Sequence, residues 1–490
     1  MIVKHPRALY IGGEWVRVDQ VEPVLNPATE TLLEEAAVGN VVHARAAIAA
    51  ARQAFDQGPW PKLPVDLRQA KLSAFLDAME RRSEEIIALI VAEAGATRLT
   101  AEFGQFRVPM QHARHMVKIA SRPAVTPLPV EVSPTFAGSL VLSAGVVARD
   151  PVGVVAAITA YNFPLLLNLG KMIPALAVGC TVVLKPSPYT PLEALILGEI
   201  ADEVGLPKGV LNIVTGGNDV GEALTSDKRV DLVTFTGSDM VGAAIQAQAA
   251  PSLKRVILEL GGKSALIVRH DADIAAAAAN GLFHFTFHCG QGCALLTRHL
   301  IHNSVRANYV AKIKEMAASM KIGNPVDPSV TLGPLIREAA RVRTERYVEI
   351  AQSQGATLVA GGRRPSNLAK GFYFEPTLFD DVGNDHRIAR EEVFGPIGVV
   401  IGYDTDDEAI ALANDSDFGL AGGVFSADVG RAYEIALQMR TGGVEINGGT
   451  GRMSSHAPFG GIKRSGYGRE YGYEGLNEFT SMKTITFKGA

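Results

Sequence analysis

Cysteine is scarce: the 490-residue chain has three, Cys180, Cys289 and Cys293. An odd and small number cannot build the disulfide framework of a secreted domain, so a reducing compartment and a cytoplasmic location are expected. Long apolar runs are also missing. The stretches near residues 152–160 and 175–184 are broken by glycine or polar residues well short of the ~20 needed to span a bilayer, and residues 1–16 hold no apolar export core. Charge of one sign is lacking as well. Forty-seven Lys and Arg oppose 51 Asp and Glu, a formal net charge of -4, so no strong field exists to hold nucleic acid or an anionic membrane. Small molecules are the expected partners.

What the chain does have is apolar mass, at 47% of residues, and 50 glycines, the profile of a folded protein with many tight turns. The length allows two to four domains. Helix-period runs occupy residues 41–55, 66–94 and 101–120, which gives the chain a helical opening. Prolines within 121–134 bias that segment toward extended structure, and residues 139–155 read as a β-ribbon that needs a partner.

Short Val/Ile-rich strands at 154–159, 181–185, 211–214, 231–235 and 255–259 alternate with helix-length segments, which predicts βαβ units around a parallel sheet. A second α/β stretch covers 264–440, with strands at 265–268, 298–301 and 397–403 and helices at 272–287 and 337–354. The fold class is therefore α/β with two sheets. A glycine-rich loop at 456–469 precedes a terminal β run, 483–487, that could pair with the earlier ribbon.

Several turns could carry chemistry. Residues 211–221 run from a strand into glycines that open a helix, including Gly217 and Gly221, where free N–H groups could meet a pyrophosphate. Such glycines equally serve a turn's need for positive φ. Phe235-Thr-Gly237-Ser238 repeats the arrangement one βα unit later. Cys293, in Gly290-Gln-Gly-Cys, sits in a turn that could expose a thiol and favour its thiolate, although free cysteines are commonly inert and buried. Glu259 ends a strand before a Gly-Gly turn, so its carboxylate could enter a cleft or merely cap a helix. Asn162 follows the first parallel strand, at the edge where ligands gather, and its amide could serve an oxyanion or a turn before Pro164. His284, His288, Cys289 and Cys293 could suggest a metal, but their spacing is not that of structural zinc and phenylalanines interleave them as on a core helix. A His288/Cys293 nucleophile pair stays open. No metal is expected.

Together these segments resemble the aldehyde dehydrogenase superfamily over nearly the whole chain. The resemblance rests on Asn162-Phe-Pro164, Lys185-Pro-Ser187, Phe235-Thr-Gly-Ser238, Glu259-Leu-Gly-Gly-Lys-Ser264, Gly290-Gln-Gly-Cys293, Glu391-Glu-Val-Phe-Gly-Pro396 and Pro458-Phe-Gly-Gly461, all in family order. It implies that Cys293 is the nucleophile, that Asn162 with the Cys293 N–H forms the oxyanion hole, and that Glu259 is the general base. Lys185, Ser187, Gly217, Gly221, Phe235, Gly237, Ser238, Leu260, Glu392 and Phe394 are implied to hold the cofactor, NAD, with NADP also possible. Phe163, Leu166, Gly170, Phe287 and Phe459 are implied to line the substrate pocket.

The implied architecture is a Rossmann-like nucleotide-binding domain (1–123 and 146–258), a catalytic α/β domain (259–465) and a β-ribbon oligomerisation element (124–145 and 466–490) that extends a neighbour's sheet in a homodimer or homotetramer. Pro188 stands where NAD-preferring members often carry Glu, Tyr161 replaces a tryptophan, and Gly170 replaces a bulky aromatic. Gly170 implies room for a bulky apolar or aromatic aldehyde. Arg452 points instead toward a carboxylate-bearing semialdehyde, and a CoA-acylating activity is opposed by the presence of Glu259. A catalytically idle relative is a third reading, made improbable by the intact Asn162, Glu259 and Cys293.

Overall fold

The computed structural model describes residues 3–121, 124–450 and 454–488. Strand Val154–Ile158 shows why the first sheet forms. Val154, Ala156 and Ile158 alternate with Val155 and Ala157, so the strand is apolar on both faces and every residue is buried. The even set packs with Ala44, Ile48 and Val220 of the helices on one side; the odd set packs with Leu165, Ile173 and Leu195 on the other.

Five such strands lie parallel in the order Leu211–Ile213, Thr181–Lys185, Val154–Ile158, Leu232–Thr236 and Arg255–Glu259. In chain order this is 3-2-1-4-5, so the winding reverses between Val154–Ile158 and Leu232–Thr236. A crevice opens at such a reversal, beyond the carboxyl ends of the strands. Antiparallel strands flank the five: Ala8–Ile11 and Glu14–Arg17 on one edge, Gly466–Tyr467 on the other.

A second, seven-stranded sheet runs Thr357–Ala360, Thr377–Asp380, Ile397–Tyr403, Arg298–His302, Ala265–Val268, Ala421–Phe425 and Gly443–Ile446, parallel except for the first strand. The ribbon forms as expected: Thr480–Lys488 pairs antiparallel with Leu140–Pro151 from Thr480↔Pro151 to Lys488↔Ser143. Val125–Pro127 and Glu131–Pro134 pair with the other edge of that strand.

The helical opening needs correction. Residues 8–37 form four short strands, and the single run expected at 66–94 is two helices, Val65–Arg81 and Ser83–Ala94, broken at Arg82 where ψ is 15°. The run at 101–120 begins as a π-helical turn, Thr100–Arg107, before helix Val108–Ile119, whose second residue is Pro109. Among the described residues no helix is long and apolar enough to cross a membrane.

Candidate active site

The reversal point positions the first group. Strand Val154–Ile158 ends, five residues turn, and Pro164 starts helix Pro164–Val178 with the fixed φ that a first helical residue favours. Asn162, in that turn, is 3% exposed. Its Nδ2 donates to the Gln291 carbonyl at 2.9 Å, while its own carbonyl accepts from Gln105 Nε2 at 3.2 Å. An amide nitrogen carries two hydrogens, so one remains for a ligand oxygen.

Cys293 arrives from the other sheet. Helix Ile274–Thr286, capped by Asp273, stops at Phe287, and His288, Cys289 and Gly290 then take left-handed φ of 47°, 56° and 71°. Three such residues in succession reverse the chain, and a Cβ at Gly290 would strike the Gly395 carbonyl, so only glycine fits there. Gln291 pins the turn: its Oε1 accepts from Ile336 N at 3.0 Å and its Nε2 donates to the His288 carbonyl at 3.2 Å. Cys180 and Cys289 are buried; Cys293 is partly exposed. Burial, and after it the charges of Glu259 and Glu392, push its thiol up to about 12.

Glu259 ends strand Arg255–Glu259 and is 2% exposed, with neither carboxylate oxygen hydrogen-bonded. Burial, then the neighbouring Glu470, raises its carboxyl well above the ordinary range, against Lys171 and Arg469. The loop after it passes under Cys293: a Cβ on Gly262 would lie 2.6 Å from the Cys293 carbonyl oxygen. Gly460 of the Pro-Phe-Gly-Gly segment is fitted just as closely, 2.6 Å from Glu259 Oε1.

The cofactor candidates gather along the carboxyl edge of the first sheet. Lys185, the last residue of its strand, is 6% exposed, and burial lowers its ammonium to about 8 against the pull of Asp219. A Cβ on Gly221 would come within 3.9 Å of Lys185 Cε, so the helix opened by Gly217 lies close to that lysine. Ser187 Oγ accepts from Tyr189 N at 3.2 Å. Gly237 leaves room for the Phe235 ring, Ser238 caps helix Asp239–Ala249, and Gly242 of that helix accommodates Leu260. Glu392 Oε1 accepts from Gly262 N at 3.0 Å, and burial raises its carboxyl to about 7. Phe394 holds a left-handed φ of 56° and meets Tyr161 edge-on at 6.1 Å. Two helix N-termini, a buried lysine with no hydrogen-bonded carboxylate and a tethered carboxylate fit a dinucleotide.

Around Asn162 the wall is aromatic. Phe163 stacks on Phe287 at 5.8 Å and leans on His288 at 5.3 Å; Phe287 meets Phe283 at 4.8 Å. Leu166 is half-buried one turn later, and Phe459 forms a bridge with Glu470. Gly170 does not open space. The Tyr471 hydroxyl lies 2.7 Å from the point its Cβ would occupy, so this glycine serves close packing and the expected gap is filled. His284 turns away to Glu445 at 3.0 Å, and burial lowers His288 to about 4, where it is a poor match for activating a thiol. Among the described residues no three His, Cys, Asp or Glu side chains gather as a metal site. Arg452 lies outside the described residues.

Comparison with known proteins now decides the relationship. The aldehyde dehydrogenase family model matches residues 15–485. The chain belongs to the aldehyde dehydrogenase family. It is 37% identical to a betaine aldehyde dehydrogenase of Bacillus subtilis over 98% of this chain and 97% of that protein. It is 38% identical to the geranial dehydrogenase of Castellaniella defragrans over the full length of both. An aldehyde dehydrogenase of Mycobacterium tuberculosis, solved with NAD+, is 41% identical with a TM-score of 0.92, covering 98% of this chain and 97% of that one. The family resemblance read from the motifs therefore holds, and so does the α/β fold class.

Sequence reasoning missed three side chains beside Glu259. Lys171 and Glu470 form a buried ion pair at 2.5 Å although 299 positions apart, and Lys171 also donates to Thr234 Oγ1 at 3.2 Å. Tyr471, at φ 61°, is 3% exposed. The nearest sequence signal was the glycine-rich loop at 456–469, which marks a turn-rich segment and not its contacts.

Proposed function

We propose that this aldehyde dehydrogenase oxidises an aldehyde to its carboxylic acid with NAD, and with NADP as a second cofactor, through a covalent intermediate on Cys293. The supporting observation is that the Asn162 amide, beside the reversal point of the first sheet, holds the Gln291 carbonyl two residues before Cys293, whose thiol also lies within the influence of the Glu259 charge. Bound NAD would supply the hydride acceptor and a positive charge in the crevice. Lys185, Ser187 and Ser238, with the helix ends at Gly217 and Gly237, would hold its adenosine and phosphates, and Glu392 and Phe394 its nicotinamide half.

The remaining chemistry follows from the chain's own groups. Glu259 takes the proton of the Cys293 thiol as Sγ bonds to the aldehyde carbon and later passes it to solvent, while Asn162 Nδ2 with the Cys293 N–H donates to the oxygen as it gains charge. After oxidation the carbon is held as a thioester. Glu259 then takes a proton from water, whose oxygen displaces Sγ and releases the acid. The same carboxylate distinguishes hydrolysis from transfer to CoA.

For substrate, the Phe163–Phe287 stack and a neutral His288 favour an uncharged apolar or aromatic aldehyde of some bulk. A second reading is a cationic aminoaldehyde, because faces of stacked phenylalanines also attract ammonium groups and several relatives are betaine or aminoaldehyde dehydrogenases. The ribbon supports a homo-oligomer in which it extends a second copy's sheet, since Val132, Leu140, Leu142, Ile485 and Phe487 stand exposed on it. We place the enzyme in the cytoplasm, in keeping with three unpaired thiols, and divide it near residues 124, 146, 259 and 466. The test is reduction of NAD and NADP with benzaldehyde, geranial, betaine aldehyde and succinic semialdehyde, with and without CoA. Acid formed without CoA supports the reading; acyl-CoA as product, or no reduction with any aldehyde, overturns it.

A further inference from the structure

On the far side of the Gly-Gly turn, away from the reaction, lies a cluster of cations that the chemistry above does not use. Lys263 follows the two glycines beneath Cys293 and is 2% exposed, and its Nζ has no hydrogen-bond partner. The charge that opposes it most is Arg298, 1% exposed at the start of strand Arg298–His302. Arg298 spends its two terminal nitrogens on Asn384 Oδ1 at 2.6 Å and on the carbonyls of Leu412 at 2.7 Å and Ala413 at 2.9 Å, where helix Asp406–Asn414 ends. Its Nε is left unpartnered, as is the buried Thr441 Oγ1.

These three residues line one cavity, bounded also by Gly419 to Ala421 and by Arg440, with about 10 Å³ for the centre of a water-sized body. No carboxylate lines it. Glu391, Glu392 and Asp415 act on the two cations from a distance, but Glu392 is tied to Gly262 N and Lys463 adds a further positive charge, its Nζ held by the carbonyls of Asn414 and Ser416 at 2.9 Å. Burying two cations side by side is costly unless an opposite charge offsets them, and each unpartnered buried donor adds to that cost. The burial of Lys263 and its repulsion by Arg298 lower its ammonium to about 7, the expected response of a cation lacking its counter-ion.

The geometry points to a binding site for one monovalent anion of halide size, held by Lys263 Nζ, Arg298 Nε and the Thr441 hydroxyl. A water could accept from the two cations and donate to the Thr441 oxygen but brings no charge, whereas a chloride ion accepts from all three groups and neutralises one cation. A free space of about 10 Å³ for the centre of the bound body suits a single-atom ion better than a tetrahedral oxyanion. The site is separate from the proposed catalytic groups and does not depend on their assignment.

Crystals of the full chain grown with bromide as the sole halide test this directly: an anomalous peak is expected within hydrogen-bond distance of Lys263 Nζ and Arg298 Nε. In solution, chloride should raise Tm saturably above a bulky organic anion at equal ionic strength, and Lys263→Met should abolish that rise. Should Lys263→Met not fold, Thr441→Val replaces it, with a weaker halide response expected. A water in place of bromide, or a chloride response unchanged in the folded variant, overturns the proposal.

Discussion

The hydroxyl oxygen of Tyr471 occupies the place a side chain at position 170 would need, 2.7 Å from the ideal Gly170 Cβ. Gly170→Ala must therefore displace a buried phenol, in a helix that would otherwise gain from alanine. A drop in Tm is expected in the single variant, with partial recovery when Tyr471→Phe removes the oxygen. Additive losses in the double variant would show that the two residues do not compete for one space. The same contact changes the reading of substrate size: bulk is to be sought along Phe163 and Phe287, not at Gly170.

Cys293→Ala is expected to lose turnover altogether, whereas Cys289→Ser keeps most of it at a stability cost of about 1–3 kcal/mol for the hydroxyl buried in its place. Iodoacetamide should modify Cys293 ahead of the buried Cys180 and Cys289. Peptide mapping after partial alkylation checks the order, and turnover that survives complete modification of Cys293 would remove its role.

Asn162→Ala should lower kcat by about 10²-fold or more, the usual loss for one oxyanion donor. The variant also frees the Gln291 carbonyl from its amide, so Asn162→Asp, which keeps the size but reverses the sign at the oxyanion, should be at least as poor. Single-turnover measurements, in which chemistry limits the rate, decide the matter.

Glu259 is active as a base only when ionised, and burial with Glu470 holds its pKa above the ordinary carboxylate range. Acid release should therefore rise with pH through that elevated value. Glu470→Gln removes the charge that raises it, so the limb moves to lower pH; Lys171→Met removes a charge that lowers it, so the limb moves higher. Each variant also breaks the buried Lys171–Glu470 pair, at about 3–5 kcal/mol. Profiles of kcat against pH that stay in place in both variants would detach the pair from Glu259.

Why the sequence revealed some of this and not the rest is a matter of range. Thr181–Lys185 and Arg255–Glu259 were legible to the residue because parallel strands buried on both faces are nearly continuous in Val, Ile and Leu, with turn residues at their ends. Val21–Leu25 and Leu32–Ala37 were not, since Glu22, Pro23, Glu34 and Glu35 interrupt any alternation in such short edge strands. Asn162, Glu259 and Cys293 stood out because each sits at a strand end or glycine turn. Lys171 and Glu470 meet each other across 299 positions, with Tyr471 beside them, and no local spacing encodes such a contact.

Cofactor choice should depend on pH. Pro188, exposed at the turn after Lys185, carries no carboxylate to repel a 2′-phosphate, so measurable use of NADP is expected. Lys185 is the buried cation at that end of the site, lowered to about 8. Below that value it is charged and can pair with the phosphate; above it the charge is lost. The ratio of kcat/KM for NADP to that for NAD should thus fall between pH 7 and pH 9, because the additional phosphate alone depends on the charge. Pro188→Glu should lower the same ratio by about tenfold, as expected for like charges several ångströms apart near a protein surface. Equilibrium binding followed by quenching of protein fluorescence separates this from effects on turnover. A ratio that neither falls with pH nor responds to Pro188→Glu would show that the adenosine end of the site is read by other residues.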